Sequence, residues 1–408
     1  MKKRFAKEKY TIPVAARLTR LPPYLFGRIN EIKHNLRKQG VDIIDLGMGN
    51  PSDPTPEIIV DKLCEAAHDP RNQRYSVSKG LFNLRREYAV FYEKTFGVQC
   101  DPETEVLGCL GSKEGFSHMC LAMMGPGDTA LVPTPFFPIH VYSVMLAGAN
   151  VITMPLLEND DLFLSNLSKV AANLNPRPKM LVLNFPHNPT AKVVEIDFYR
   201  EVVKLARKHK FFVISDLAYG LTVFGDYRAP SFLQVEGAKK VGVEFTTMSK
   251  PFNMAGWRIG FCVGNAQMVK ALAQIKGYYD YGIFQPVQIA SIVALRHCRK
   301  EIKKQADLYE IRRDVLVDGL NRQGWQIPKP KGTMFVWAPI PEPFRKMGSI
   351  DFSIFLLENA EVAVAPGAGF GEEGEGYVRL ALVENELRLK QAARQIGRAM
   401  RKGFESAK

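Results

Sequence analysis

The stretch that decides the fold is FFVISDLAY, residues 211–219. Its first four residues are apolar without interruption, which is typical of a strand that is buried on both faces of a parallel sheet. Polar residues follow, with Asp216 at the carboxyl end of the strand and Tyr219 three residues later. Ligands of open α/β sheets bind at that edge, so both side chains are candidates for a binding site. The alternative for Asp216 is a helix N-cap or a turn residue.

Six further apolar segments indicate the same architecture. They alternate with helical patterns and lie at residues 105–110, 129–132, 151–154, 180–183, 243–245 and 260–263. The sequence therefore predicts an α/β fold in which a mostly parallel seven-stranded sheet has helices on both faces and a smaller α+β domain follows. We expect an N-terminal segment that packs with the small domain (1–47), a large domain (48–300) and a small C-terminal domain (301–408).

Composition and charge narrow the class of protein. The chain has 408 residues, 46% of them hydrophobic, and no apolar run approaches the ~20 residues of a membrane span. We expect no membrane partner, and a cytoplasmic location because no apolar signal core follows the charged N-terminus. The net charge of +13 is distributed along the chain without a helix-turn-helix pattern, so we expect no nucleic-acid partner. The six cysteines lack metal-like spacing, which predicts reduced thiols and no metal site.

A lysine and an arginine lie eight residues apart in the otherwise uncharged run SKPFNMAGWRIGF, residues 249–261. A lysine that forms a Schiff base must be able to lose its proton, and burial beside positive charge lowers its pKa. The guanidinium of Arg258 suits the phosphate of a cofactor tethered to Lys250. These residues indicate pyridoxal phosphate, with Asp216 keeping the ring nitrogen protonated and Tyr219 near the ring's 3-oxygen. Ordinary surface charges are the alternative for both cations.

The strand before residue 184 also ends in a polar loop, NFPHNPT, residues 184–190. Asn188 could donate its amide to the same 3-oxygen, although Asn-Pro is also a plain turn signal. We expect His187 to be a solvated loop residue.

These motifs, in this order and spacing, resemble the fold-type I aminotransferases of class I and II over nearly the whole chain. The resemblance is greatest to the bacterial glutamate–pyruvate (alanine) aminotransferases. Four stretches support that likeness: RLPPY (20–24), MGNP (48–51), GSKEG (111–115) and DYG (280–282).

The resemblance implies roles for residues that would bind the cofactor's phosphate. Ser112 and Lys113 correspond to a phosphate-binding turn at the start of a helix, for which a capped helix without a ligand is the alternative. Thr247 and Ser249 correspond to hydroxyls on either side of the lysine strand end. Tyr75 resembles the tyrosine that reaches the phosphate from the partner subunit, which implies a homodimer with shared active sites.

The resemblance also implies roles at the ring and the substrate. Phe137 corresponds to the aromatic residue that stacks on the cofactor ring, and a plain core aromatic is its alternative. Arg379 lies within an apolar strand and corresponds to the clamp for the substrate's α-carboxylate, with a structural salt bridge as its alternative. Asn188 and Gly49 would complete the substrate site, the glycine by allowing close backbone approach.

The implied activity is transamination with ping-pong kinetics, in which Lys250 is nucleophile and then general base and acid. Relatives specific for dicarboxylates have a second arginine in the region after the cofactor lysine, whereas residues 277–286 contain none. We therefore expect amino-group exchange between L-alanine/pyruvate and L-glutamate/2-oxoglutarate, with amino acids and 2-oxo acids as small-molecule partners. The alternatives are an LL-diaminopimelate aminotransferase, an aspartate aminotransferase, and a catalytically silent regulator that senses ligands.

Overall fold

The computed structural model describes residues 12–22, 27–156 and 158–406. Within these ranges the strands are β1 (Ile44–Asp45), β2 (Val106–Cys109), β3 (Thr129–Thr134), β4 (Asn150–Pro155), β5 (Met180–Asn184), β6 (Phe212–Asp216), β7 (Gly242–Thr247), β8 (Gly260–Gly264), β9 (Phe335–Pro339), β10 (Val362–Ala363), β11 (Ala365–Pro366) and β12 (Tyr377–Ala381). The α-helices are α1 (Ala16–Thr19), α2 (Gly27–Lys38), α3 (Glu57–His68), α4 (Phe82–Phe96), α5 (Ser112–Met123), α6 (Pro138–Leu146), α7 (Asp160–Asn173), α8 (Ile196–His209), α9 (Ala238–Val241), α10 (Ala266–Tyr279), α11 (Gln285–His297), α12 (Arg299–Arg322), α13 (Gly348–Ala360) and α14 (Glu386–Ser406). Among these helices, none is both long enough and apolar enough to cross a bilayer.

The seven predicted strands form one sheet in the order β2-β8-β7-β6-β5-β3-β4. Four neighbouring pairs are parallel: β4-β3, β3-β5, β5-β6 and β6-β7. Strand β8 is antiparallel to both of its neighbours, β2 and β7. Along β5 and β6, Leu181 and Val213 join the hydrophobic core on one face, whereas Val182 and Ile214 join the core on the other. Helices α4, α7, α8 and α11 cover the first face, and α5, α6 and α10 cover the second. The prediction of a mostly parallel seven-stranded sheet covered on both faces is confirmed.

A smaller group of elements surrounds a separate hydrophobic cluster. It contains an antiparallel sheet, β11-β12-β9, and the parallel pair β1-β10. Helices α12, α13 and α14 contribute Leu316, Leu356 and Ile396 to its cluster, and Ile44 and Leu46 join them. This shared core supports our proposal that the N-terminal segment packs with a small C-terminal domain. The proposed boundary between residues 300 and 301 falls within the first turn of α12.

A buried carboxylate lies behind the end of β6. Glu244 of β7 accepts hydrogen bonds from the Tyr92 hydroxyl (2.6 Å), the Ser215 hydroxyl (3.0 Å) and the Phe232 amide (3.0 Å). Burial raises the pKa of Glu244 to about 7, and the hydrogen bonds act in the opposite direction without cancelling it. Because Ser215 directly precedes Asp216, this network helps to fix the edge of the sheet at which the predicted site lies.

We predict that Glu244→Gln removes a pH dependence of stability. The pKa of Glu244 is raised from 4.5 to about 7 in the folded protein, so its protonated form is favoured there. The contribution of protonated Glu244 to the stability of the folded protein is therefore fully present below pH 4.5 and is lost as the pH rises through about 7. Between these limits the free energy of unfolding should fall by on the order of 3 kcal/mol more in the unmodified protein than in the variant. Urea unfolding of both proteins across this range provides the measurement, and parallel pH profiles would contradict the prediction.

Candidate active site

The predicted site residues meet where the carboxyl ends of β5 and β6 face the small sheet. Asn184 ends β5, Asp216 ends β6, and the two are paired in register. Lys250 lies in the connection between β7 and β8, and Arg379 lies in β12 of the three-stranded sheet. The site is therefore assembled from two sheets whose residues are far apart in the chain.

Asp216 is held by three hydrogen bonds. Its Oδ2 lies 3.0 Å from Nε2 of His140, its Oδ1 accepts from the Ala218 amide (3.1 Å), and its carbonyl oxygen accepts from Nδ2 of Asn184 (2.7 Å). Our sequence analysis missed His140. The sequence feature that could have indicated His140 is an imidazole in the mostly apolar helix α6, one turn after Phe137. The carboxylate is thus oriented before any ligand arrives.

Lys250 is partly buried and its amine makes one hydrogen bond to the backbone. Nζ donates to the Gly49 carbonyl oxygen (3.1 Å) and lies 5.9 Å from the centre of the Tyr219 ring. Burial, together with the smaller effects of the charges on Arg379 and Arg258, lowers the pKa of Lys250 to about 8. A substantial fraction of the amine is then neutral near pH 8, as a nucleophilic lysine requires.

Arg379 is 7% exposed and lies between two aromatic rings. Its guanidinium carbon is 4.0 Å from the centre of the Phe335 ring and 4.7 Å from that of Phe370. Nη1 donates to Oδ1 of Asn188 (2.7 Å) and Nη2 to the Gly47 carbonyl (3.2 Å), while Nε has no partner among the described residues. Burial lowers the pKa of Arg379 to about 10. A buried guanidinium without a carboxylate is suited to an anionic ligand.

The loop after β5 connects the surroundings of Asp216 to Arg379. The backbone amide of Asn188 donates to Oδ1 of Asn184 (2.9 Å). This bond helps to fix the position of Asn188, whose side chain contacts Arg379. The prediction that His187 is solvated is wrong, because the residue is 2% exposed. The loop folds back on itself, with the His187 amide bonded to the Lys192 carbonyl and Nδ1 paired with the Thr190 hydroxyl (2.7 Å). Burial lowers the pKa of His187 to about 3, so its ring is neutral.

A second cationic group lies at the start of helix α5. Ser112 is the first residue of α5, and Gly111 precedes it with a φ of 82°. A Cβ atom on this glycine would lie 2.5 Å from Nη2 of Arg258, so the guanidinium approaches the helix N-terminus closely. The hydroxyl of Thr247, the last residue of β7, donates to the hydroxyl of Ser249 (2.8 Å), which lies in the same β7–β8 connection as Arg258. Free helix amides and a guanidinium together favour an anion such as a phosphate.

These groups fit the cofactor that the sequence predicts. The arginine at the helix N-terminus suits its phosphate, Lys250 suits its aldehyde, and Asp216 suits its ring nitrogen. Throughout the described residues, no carboxylate lies within salt-bridge distance of Lys250, Arg258 or Arg379, whose observed donors bind carbonyl or amide oxygens. The pocket therefore has an excess of positive charge that anionic groups would offset.

The remaining predicted residues lie at other places around this region. Phe137 precedes α6 and its ring meets that of His140 edge to face, with centroids 5.6 Å apart. Lys113 is exposed on α5, and Tyr75 is 86% exposed with its ring 4.8 Å from that of Tyr281. A Cβ on Gly49 would lie 2.5 Å from the Phe335 ring, so this glycine packs closely on that ring. Residues 23 and 24 of the RLPPY stretch lie outside the described ranges.

A group of possible metal ligands lies apart from these cations. One ligand atom each from Glu114, His118 and Asp280 falls within 4.8 Å of the others. The ammonium of Lys276, which is fully buried, donates to Glu114 (2.9 Å) and to Asp280 (3.1 Å). This lysine supplies the charge that a metal would bring, so we interpret the group as an internal ion-pair network.

We predict that Arg258→Gln weakens the binding of inorganic phosphate to the cofactor-free protein. The substitution removes a cation at the N-terminus of α5, and hydrogen bonds to charged groups are worth ~1.5–3 kcal/mol, so the dissociation constant should rise about tenfold or more. Calorimetric titration at low salt provides the measurement. Arg388→Gln, which removes an arginine paired with Asp42, is the matched control. Equal phosphate affinity in the two variants would contradict an anion site at this helix.

The sequence matches the family described as aminotransferase class I and II over residues 41–396. The chain is 49% identical to the glutamate-pyruvate aminotransferase AlaC of Escherichia coli over 93% of its own length and 92% of that protein. It is 43% identical to an LL-diaminopimelate aminotransferase of Moorella thermoacetica, covering 95% of this chain and 98% of that one. Among solved structures, substrate-bound BacF from Bacillus subtilis superimposes with a TM-score of 0.89 at 35% identity, over 95% of this chain and 98% of that one. The chain therefore belongs to the aminotransferases of class I and II, and its fold is that of the fold-type I enzymes.

Proposed function

We propose that this protein is a pyridoxal-phosphate-dependent aminotransferase that exchanges amino groups between L-alanine/pyruvate and L-glutamate/2-oxoglutarate. The observation that carries the proposal is the environment of Lys250: burial and, to a smaller extent, the charges of Arg379 and Arg258 lower its pKa to about 8. An amine that is readily deprotonated, between two guanidinium groups that lack carboxylate partners, suits a reaction on an aldehyde with a phosphate and a carboxylate close by.

When bound, pyridoxal phosphate supplies an aldehyde and a ring that withdraws electrons from the substrate's α-carbon. We assign Asp216 to the ring nitrogen, because His140 and the Ala218 amide already fix the orientation of its carboxylate. Arg258 and Ser112 would hold the phosphate, with Lys113, Thr247 and Ser249 as further contacts. Charge supports the roles of Asp216 and Arg258, and the other roles are those that the family resemblance implies.

The side chains around the ring would position it and move protons. Phe137 would lie against one face, and Tyr219 and Asn188 would donate to the 3-oxygen. Nζ of Lys250 would take the α-proton of the amino acid as general base, and its ammonium would then donate a proton to a different carbon as general acid, as amino transfer requires. Arg379 would bind the α-carboxylate, with Asn188 orienting its guanidinium and Gly49 leaving room beside it.

The choice of substrates has weaker support than the reaction class. Residues 277–286 lack an arginine for a second carboxylate, and the 49% identity to AlaC exceeds the 43% identity to the LL-diaminopimelate enzyme. Tyrosine hydroxyls of this segment could bind the distal carboxylate of glutamate and still admit alanine. LL-diaminopimelate and aspartate aminotransferase activities stay as alternatives.

We also propose that the active form is a homodimer with shared sites. Four exposed aromatic residues lie close together in the chain, and Tyr75 contacts one of them, Tyr281; the other three are Tyr278, Tyr279 and Phe284. Large exposed aromatic patches on soluble proteins are often interfaces, and a second copy would cover this one. Tyr75 would then reach the phosphate of its partner's site.

Transamination itself can be tested on the purified, reconstituted protein. L-Alanine should bleach the visible absorbance of the bound cofactor and pyruvate should restore it, as should the pair L-glutamate and 2-oxoglutarate. LL-diaminopimelate and L-aspartate should be much poorer donors. Preference for either of those two donors would replace the proposed substrates. An absorbance that no amino acid changes would favour the silent regulator.

Lys250→Ala should abolish both the covalent capture of pyridoxal phosphate and turnover, since general base and nucleophile are lost together. In the unmodified, cofactor-free protein the capture rate should rise with pH through about 8 and then level off, because the neutral amine reacts and the pKa of Lys250 is lowered to that value. Stopped-flow absorbance provides the measurement. A rate that keeps rising beyond pH 10 would indicate a lysine with an ordinary pKa.

A further inference from the structure

The connection between β1 and α3 touches two of the cations in the candidate site. We call residues 47–56 the strap; they contain neither helix nor strand. In the part of the chain that the structure describes, no backbone–backbone hydrogen bond involves residues 47–55. The position of the strap therefore depends on side chains that bind it from other elements.

Two carbonyl oxygens of the strap accept hydrogen bonds from the site. Gly47 accepts from Nη2 of Arg379 (3.2 Å), and Gly49 accepts from Nζ of Lys250 (3.1 Å). Gly49 also packs so closely on Phe335 that an added Cβ would lie 2.5 Å from the ring, and this ring stacks on Arg379. A shift of the strap would thus change the surroundings of both cations.

The strongest anchor of the strap is an ion pair with α12. Both terminal nitrogens of Arg312 donate to the two carboxylate oxygens of Asp53, each at 2.7 Å. Arg312 is 4% exposed, and its Nε lies 3.4 Å from the Glu386 carboxylate of α14. Bidentate pairing restricts orientation as well as distance, so Asp53 has little freedom to move relative to α12.

A second anchor ties the strap to the loop that carries Lys250. The Thr55 hydroxyl donates to the carbonyl of Asn253 (2.8 Å), and Asn253 has a left-handed backbone with φ of 53°. The side chain of Asn253 donates to Oε1 of Gln305 on α12 (2.8 Å). Strap, lysine loop and α12 thus meet at one polar cluster.

We propose that Asp53 and Arg312 are positioning residues for the amino-acid site: their ion pair holds the strap where its carbonyls orient Arg379 and Lys250. Neither residue is among those assigned to substrate or cofactor, so both act through the strap. The inference rests on the proposed function in one respect, namely that Arg379 binds the α-carboxylate. Buried, oriented supports of this kind determine how precisely a binding residue is held.

The test compares Arg312→Lys and Asp53→Asn with Arg388→Lys in the full-length protein. Arg388 makes an equally short bidentate pair with Asp42 (2.7 and 2.8 Å), away from the strap, and is therefore a matched control. The rate at which a nonspecific protease cleaves within the strap is measured without cofactor, with the cleavage sites mapped by mass spectrometry. The dissociation constant of propionate, which has the carboxylate of alanine but no amino group, is measured with pyridoxal phosphate bound.

Each of the two strap variants should be cleaved within the strap about tenfold faster, because the strap has no backbone–backbone hydrogen bonds among the described residues and each variant loses its bidentate anchor. The double variant should be cleaved no faster than the single ones, since all three lose the same interaction. Propionate affinity should fall about tenfold in step with the faster cleavage, as expected when one charged contact is misplaced. The control should change neither quantity by more than about twofold.

A rate of strap cleavage equal to that of the control in folded variants would overturn the inference. Faster cleavage with unchanged propionate affinity would also overturn it, because the strap would then not orient Arg379. If Arg312→Lys does not fold, Asp53→Asn decides, since this aspartate is only partly buried. Failure of the unmodified protein to bind propionate would instead contradict the proposed function, and the cleavage rates would still show whether the pair holds the strap.

Discussion

Three cationic side chains share one region of this protein without a carboxylate to pair with them in the described parts of the chain. Lys250, Arg258 and Arg379 come from two sheets and their connections, and burial together with the charges of both arginines lowers the pKa of the lysine. Charge of one sign in a partly buried pocket is unfavourable, and a phosphate and a carboxylate would relieve it. Lysine can respond to the unfavourable field by losing its proton, whereas a guanidinium stays charged over most of the accessible pH range.

The fold tolerates this arrangement because the surrounding scaffold is secured elsewhere. Asp216 is oriented by His140 and Asn184, and the strand behind it is tied through Ser215 to the buried Glu244. On the small sheet, two aromatic rings enclose Arg379. Asp216 and Arg379 of the candidate site are therefore held by contacts within the protein, which would reduce the cost of ordering the site on binding.

Much of the fold follows from local patterns. The seven strands of the large sheet are short apolar runs between turn residues, and their polar ends mark the binding edge, so Asp216, Asn188 and Lys250 could be selected from sequence. His140, Phe335 and Phe370 could not, because a single histidine or phenylalanine in an apolar element has the same local pattern as an ordinary core residue. His187 was interpreted wrongly since the burial of a loop depends on how it folds back, which local polarity does not encode.

By itself, the sequence determined the class of sheet, the edge at which ligands would bind and the residue types available there, because hydrophobic periodicity and strand-end chemistry are local properties of a chain. The tertiary structure decided which polar groups meet: Lys250 reaches a carbonyl 201 positions away, and Arg312 pairs with an aspartate 259 positions away. It also decided the pKa of the lysine, since desolvation and Coulomb interactions depend on distances in space and not on separation along the chain.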